Sequence, residues 1–185
     1  KEIPFIVVIS ETGRLIGIED TREGEGKKKR AKSFLVPQGV KKTSGVAANL
    51  LWDVAGYVFG LDLKNNPQRA LQQKEAFVDR LASELGDVPV VQSVIKFVQN
   101  ISPRELEVQD CWHEIAKVNP NLTFRLHGTN SLICRHPDVV AKLASNRDSK
   151  DSDLVGTCLV TGQTSEIKTL HTAIKGVYGA QTMGA

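Results

Sequence analysis

The order in which the hydrophobic pattern changes along the chain constrains the fold more than any other sequence feature. The apolar, β-branched run Pro4–Ile9 is separated by Thr12-Gly13 from Arg14–Ile18. This pattern predicts a β-hairpin with a glycine-containing turn. A polar, charged segment over residues 19–32 predicts a mobile loop of about residues 20–32, and Ser33–Val36 predicts a third strand.

Helical spacing replaces the strand pattern in the middle of the chain. Apolar residues recur every four positions at Val46, Leu50, Val54 and Val58. This spacing predicts a first helix, with Ser44 as a candidate N-cap. Two further apolar stripes predict a second helix that ends at Gly86 and a third over Asp87–Gln99, which Asp87 could cap.

Strand patterns return in the last third of the chain. Alternation predicts strands at Leu122–Leu126 and Ser131–Cys134, and Pro137 then opens a short helix through Ala144. A polar linker over about residues 146–153 precedes a predicted hairpin, Thr157–Val160 with Ile167–Leu170, around Gly162. This order predicts an α+β fold, with antiparallel strands in the N- and C-terminal parts packed with a central helical segment.

Composition excludes several classes of protein. With 185 residues, 41% hydrophobic and 24% charged, the chain can bury one sizeable core and is neither disordered nor collagen-like. No apolar run approaches the roughly 20 residues of a membrane-spanning helix, and no signal-peptide pattern opens the chain. The odd cysteine set, Cys111, Cys134 and Cys158, lacks a CxxC pair and predicts at least partly buried thiols in a reducing cytoplasm.

Positive charge is concentrated in one window, residues 27–42. The window holds seven of the 24 Lys and Arg residues and none of the 21 Asp and Glu residues, so the rest of the chain is net negative. Such clustering is typical of a surface that meets phosphate, although a solvated charged loop would look the same.

The strongest local pattern is the loop that leads into the first predicted helix, Pro37–Asp53. It combines lysines, the hydroxyls of Thr43 and Ser44, and a helix start with free N–H groups. Gln38 and Asn49 could each offer a paired donor and acceptor to a base edge. A capped helix with a solvated loop is the alternative interpretation.

The sequence contains no credible catalytic set, and we expect no enzymatic activity and no cofactor. The phosphate-binding GxxxxGK[ST] pattern is missing. Asp53 fits a cap or an ion pair better than catalysis. Two metal sites can be drawn but fit poorly: a zinc site from Cys134, His136, Cys158 and His171, and a nuclease site from Asp148, Asp151 and Asp153.

Several longer stretches resemble a known family. They are Lys41–Gly60 (KKTSGVAANLLWDVAGYVFG), Cys134–Pro137 (CRHP), Gly156–Gly162 (GTCLVTG), Leu170–Gln181 (LHTAIKGVYGAQ) and, upstream, Arg22–Lys27 (REGEGK). In this order they resemble the CRISPR-associated large subunit of the subtype I-C interference complex, Cascade. Members of that family are longer, which implies that residues 1–185 form a single domain, the N-terminal part of a longer subunit.

The resemblance implies a non-enzymatic, DNA-binding role. The large subunit of such a complex helps to find the short protospacer-adjacent motif in duplex DNA and starts strand separation, while guide pairing reads the long sequence. The implied partners are double-stranded target DNA, the Cascade subunits loaded with CRISPR RNA, and a helicase-nuclease recruited in trans; no membrane is implied.

The resemblance also gives the basic window a purpose. Its first cations would hold phosphates: Lys27, Lys28, Lys29, Arg30 and Lys32. The following residues would lie nearer base edges: Gln38, Lys41, Lys42, Thr43, Ser44 and Asn49. Two alternatives stay open, namely a docking domain that meets guide RNA or neighbouring subunits without reading DNA, and a metal-dependent nuclease.

Overall fold

The computed structural model describes residues 1–24, 29–42, 45–62, 65–150, 155–157 and 161–166. The chain divides into two compact units, Lys1–Leu143 and Ala144–Ala185. The first unit holds the sheet and most of the helices described below.

The predicted N-terminal hairpin is confirmed. Strand β1 (Phe5–Ile9) is buried along its whole length and pairs antiparallel with β2 (Leu15–Asp20). The turn closes with a 2.9 Å hydrogen bond from the Gly13 N–H to the Ser10 carbonyl. Gly13 has a φ of +82°, and a Cβ there would come within 2.7 Å of the Ser93 carbonyl oxygen, so the turn requires glycine.

The hairpin belongs to a four-stranded sheet of order β2-β1-β4-β3. Strand β4 (Asn121–Leu126) runs parallel to β1, and β3 (Trp52–Val54) runs antiparallel to β4. The predicted α+β class is confirmed, but the β1–β4 pair is parallel because the whole helical segment of the chain connects the two strands.

Two amphipathic helices cover the inner face of this sheet. Helix α2 (Pro67–Leu85) is capped by Asn66, whose side chain accepts a 3.0 Å hydrogen bond from the Arg69 N–H, and α3 (Pro89–Asn100) also begins at a proline. The Phe124 ring on β4 lies 6.0 Å from that of Phe77 and 6.1 Å from that of Phe97. Both helices were predicted from their apolar stripes.

The predicted first helix is largely wrong. Residues 45–51 are not helical, Trp52–Val54 form β3, and only Ala55–Phe59 form a short helix, α1. Pairing with the free edge of β4 outweighs the four-residue spacing, because β3 satisfies backbone groups that β4 would otherwise leave open. The Thr123 hydroxyl reinforces this path with a 3.0 Å hydrogen bond to the Leu51 carbonyl.

Three smaller predictions also differ from the structure. Ser33–Val36 makes one bridge, between Ser33 and Glu2, instead of a strand. The predicted strand Ser131–Cys134 is instead a single bridge between Leu132 and Arg125, followed by a 3₁₀ turn at Ile133–Arg135. Asp87 does not cap α3, because the N-cap of that helix is Val88. The Asp87 carboxylate instead pairs with the Lys142 ammonium at 2.6 Å.

The remaining helices are α4 (Pro103–Glu107), α5 (Trp112–Val118) and α6 (Pro137–Lys150). A reciprocal pair of hydrogen bonds between Ser102 and Glu105 starts α4. Helix α6 continues past its predicted end at Ala144. Across the described residues, no helix combines the length and the apolar character that crossing a membrane requires.

In the second unit, β5 (Val155–Thr157) pairs antiparallel with β6 (Thr164–Glu166). These strands lie on either side of Gly162, but of the predicted strands Thr157–Val160 and Ile167–Leu170 they include only Thr157. Residues 158–160 and 167–170, which complete that prediction, lie outside the described residues.

Candidate nucleic-acid interface

Asp53 organises the loop that the sequence singles out. Its carboxylate is only 1% exposed and accepts a 2.6 Å hydrogen bond from the Lys42 ammonium. It also accepts 2.7 Å hydrogen bonds from the backbone N–H groups of Asn49 and Val54. The predicted ion pair of Asp53 is confirmed, and it joins the basic window to the sheet.

Lys42 is held from two sides. Besides its pair with Asp53, its ammonium lies 3.7 Å from the centroid of the Tyr57 ring, a cation–π distance. The Tyr57 hydroxyl accepts a 3.3 Å hydrogen bond from the Ala47 N–H. The structure therefore places Lys42 in a structural cluster, and its contact with a base edge stays a prediction.

Asn49 is 5% exposed and serves the same loop. Its Oδ1 accepts a 2.9 Å hydrogen bond from the Val40 N–H. The Trp52 indole donates a 2.8 Å hydrogen bond to the Pro37 carbonyl, and a Cβ on Gly39 would come within 2.9 Å of the Trp52 ring. Residues 37–42 are thus fixed against residues 49–53 by buried side chains.

A cleft of about 540 Å³ opens beside this fixed loop. We call it the loop cleft; it includes residues 34–40, Lys1, Lys42, Asn49 and Trp52. The Lys1 ammonium lies 5.4 Å from the Trp52 ring centroid. Gln38 lines this cleft and is exposed. Lys41, three residues further on, is exposed but does not line the cleft. Within the described part of the chain, Lys41 forms no ion pair.

The first half of the basic window meets acidic residues from outside it. The Lys29 ammonium lies 3.6 Å from the Asp20 carboxylate, and the Lys32 ammonium lies 2.8 Å from that of Glu23. The backbones of Arg30 and Glu23 exchange hydrogen bonds of 2.9 and 3.0 Å, while the Arg30 residue is exposed. Sequence reasoning missed these partners because none of them lies within the window.

An arginine upstream of the window anchors this acidic group. Arg22 binds both oxygens of Asp20, at 2.8 Å and 2.7 Å, and also pairs with Glu114 on α5. The Arg22 hydrogen bond lowers the pKa of Asp20 from 3.8 to about 2 and lowers the pKa of Glu114 as well. The Arg22 guanidinium also lies 4.7 Å from the Phe5 ring centroid.

Part of the predicted interface lies outside the described residues: Lys27, Lys28, Thr43 and Ser44. Among the residues that are described, no group of three or more His, Cys, Asp or Glu side chains could hold a metal ion. Neither drawn metal site is fully covered, because Cys158, His171, Asp151 and Asp153 fall outside the described part.

The two described thiols differ in burial. Cys134 is 4% exposed, and burial raises its pKa to about 11. Cys111 is half-buried, and burial raises its pKa also. Both observations agree with the predicted burial of the thiols; Cys158 is outside the described residues.

Comparison with known proteins identifies the family. A search of curated proteins found no match. The model of a protein family described as CRISPR-associated protein (Cas_Csd1) matches residues 1–185, the full length of the chain. The resemblance found in the sequence motifs is therefore confirmed, and the chain belongs to the CRISPR-associated Cas_Csd1 family.

Proposed function

We propose that this chain is the N-terminal domain of the large subunit of a type I-C Cascade complex. In that role it binds target DNA, contributes to recognition of the protospacer-adjacent motif and helps to open the duplex. Membership of the Cas_Csd1 family supports a CRISPR-associated role. The proposed role is non-enzymatic and cytoplasmic, and the other partners are the guide-loaded subunits and a helicase-nuclease that acts in trans.

The observation that carries the proposal is that exposed Gln38 and Lys41 lie in residues 37–42, which are held by hydrogen bonds to residues 49–53. Gln38 can donate and accept hydrogen bonds at a base edge, and Lys41 can bind a phosphate. Asn49 holds the backbone N–H of Val40, which lies between them, and Asp53 holds the side chain of Lys42, which follows Lys41. A loop ordered before binding loses less conformational entropy on contact with DNA, which favours specific recognition.

The structure divides the predicted base-edge residues into two groups. Buried Asn49 and exposed Lys42 make intramolecular contacts that hold the loop, whereas exposed Lys41 has no ion pair among the described residues and exposed Gln38 lines the loop cleft. We therefore assign direct DNA contact to Gln38 and Lys41. Arg30 is exposed too and would add a phosphate contact from the first half of the window.

A docking role without DNA recognition is the second candidate. The ion pairs of Lys29 with Asp20 and of Lys32 with Glu23 reduce the free positive charge of the surface. A surface of alternating charge also suits a neighbouring protein subunit or a guide RNA held by one. This role predicts that duplex DNA binds weakly and without regard to its motif.

The decisive experiment measures the affinity of the chain for duplexes that differ only in a short randomised motif, across a salt series. Wild type is compared with Gln38→Ala and Lys41→Ala. Lys117→Ala is the matched control, because Lys117 is exposed on α5 and lines none of the clefts described.

We expect wild type to prefer one motif and Gln38→Ala to lose that preference. Lys41→Ala should weaken binding to every duplex and lower the slope of log K against log salt by about 0.9. The control should match wild type. Equal binding of wild type to all motifs, or no binding at all, would contradict direct motif recognition and favour the docking role.

A further inference from the structure

A second cleft lies on the outer face of the sheet, opposite α2 and α3. This face carries Ile6 and Val8 of β1 beside Arg125 of β4, as the strand register requires. The cleft has a volume of about 520 Å³, and we call it the sheet cleft. Its lining includes Lys32, Phe34 and Leu35 and also Asn130–Leu132 with Arg135.

Three cations line the sheet cleft: Lys32, Arg125 and Arg135. Arg135 is exposed and has no ion pair within the described part of the chain. Arg125 pairs with Glu19, yet its Nε is buried and, among the described residues, has no hydrogen-bond partner. Because this Nε is closed to solvent, a ligand in the cleft would reach Arg125 through its terminal NH₂ groups.

The acidic groups of this cleft do not cancel its positive charge. Asp20 is already held by Arg22 and Lys29, and Arg22 also pairs with Glu114, so these four side chains together carry no net charge. Glu19 offsets only Arg125, and Glu23 pairs with Lys32 from outside the cleft lining. Arg135 therefore retains its charge in the lining of this cleft.

The sheet cleft continues directly from the loop cleft. Phe34 and Leu35 line both, so they form a ridge between them, and the Leu35 side chain is 71% exposed. A third cleft adjoins the sheet cleft through shared Glu19, Arg125 and Asn130. A strand that meets Gln38 and Lys41 thus has a continuous path across this ridge.

We propose that the sheet cleft, through Arg125 and Arg135, binds a backbone phosphate of nucleic acid. Arginine suits this ligand because its planar fork can donate two hydrogen bonds to phosphate oxygens. The exposed Asn130 and Ser131 on the same wall can donate to a phosphate or sugar oxygen. The inference rests on the proposed function, since it extends the same nucleic-acid surface.

The test measures binding of the 185-residue chain to a labelled duplex and to one of its strands alone, each across a salt series. The variants are Arg135→Ala, which alters an exposed side chain, and Arg125→Gln, which removes the charge but keeps a hydrogen-bonding group. Arg104→Ala on α4 is the control, since this exposed arginine lines none of the three clefts. Lys41→Ala reports separately on the loop of residues 37–42, and thermal unfolding checks that every variant is folded.

We expect Arg135→Ala to lower the salt slope by about 0.9 on the duplex or about 0.7 on the single strand. A loss confined to the single strand identifies an unpaired strand as the source of the phosphate, and a loss confined to the duplex identifies paired DNA. If folded Arg135→Ala and Arg125→Gln both bind DNA with wild-type affinity and salt slope, the inference is overturned. If Lys41→Ala binds DNA more weakly in the same experiment, the proposed function still stands. If wild type binds neither DNA, both proposals fail.

Discussion

The Lys42 ammonium lies 2.6 Å from a carboxylate oxygen of Asp53, which is almost fully buried, and this pair joins the basic window to strand β3. The same carboxylate accepts hydrogen bonds from two backbone N–H groups, so one side chain sets the position of residues 42, 49 and 54. Residues 37–42, which we assign to DNA recognition, are therefore held by a charge at the far end of the Pro37–Asp53 segment.

Replacing Asp53 with Asn tests this assignment. A carboxamide accepts at one atom only, so its NH₂ group must face either the Lys42 ammonium or the Asn49 N–H. We expect the free energy of unfolding to fall by about 1–3 kcal/mol, measured by urea denaturation. The control Asp79→Asn, on the exposed face of α2, should change the free energy of unfolding by less than about 0.5 kcal/mol. Equal losses of stability in Asp53→Asn and Asp79→Asn would contradict the account.

Gly39→Ala tests the packing of the same loop. The new Cβ would lie 2.9 Å from Trp52 Cζ2 and 3.2 Å from Asn49 Oδ1, so the loop must move. We expect a loss of about 1–3 kcal/mol in unfolding free energy and a change in tryptophan fluorescence. Gly17→Ala is the matched control, because its nearest contact would be an ordinary 3.9 Å from Gln109. An unchanged Gly39→Ala protein would show that the loop is not packed as described.

The Arg22–Asp20 pair predicts a pH dependence of stability. The folded-state pKa of Asp20 is lowered from 3.8 to about 2, so its contribution is present above pH 3.8 and is lost as pH falls toward 2. Asp20→Asn should therefore be less stable than wild type at pH 6, and the difference should shrink between pH 4 and pH 2. The pair is partly exposed, so we expect at most about 1 kcal/mol. A difference independent of pH would refute this origin.

The two described thiols should react at different rates. The pKa of Cys134, raised from 9.0 to about 11, lowers its thiolate fraction at pH 8 on the order of 100-fold. In a Cys158→Ser background, peptide-resolved mass spectrometry should show alkylation of half-buried Cys111 before Cys134. In denaturant the two rates should converge. Faster native labelling of Cys134 would contradict its burial.

The fold could be predicted where local pattern and tertiary structure agree. The hairpin around Gly13, helices α2 and α3, and strand β4 each follow from residue spacing alone. The helix predicted over residues 46–54 was wrong because its helical spacing competed with pairing to the edge of β4. That partner strand is almost 70 positions away, so a local window of sequence does not reveal it.

The candidate site could be predicted only as a region. The sequence identifies the basic window, but not which of its cations form ion pairs. The acidic partners lie outside the window: Asp20, Glu23 and Asp53. Arg125 and Arg135 were missed as binding residues because each is a single cation outside the basic window; the sheet register places Arg125, and the turn Ile133–Arg135 places Arg135, in the cleft that Lys32 also lines.

The most direct test of the central claim uses a library of DNA duplexes that carry a randomised short motif. Guide-loaded complexes select from this library, and they contain either the wild-type chain or the Gln38→Ala/Lys41→Ala double variant. Sequencing of the bound fraction measures the enrichment of each motif. We predict that the wild-type complex enriches a narrow set of motifs and that the double variant flattens this enrichment while still pairing guide with an already opened target. The same enrichment in both complexes would contradict recognition by this loop.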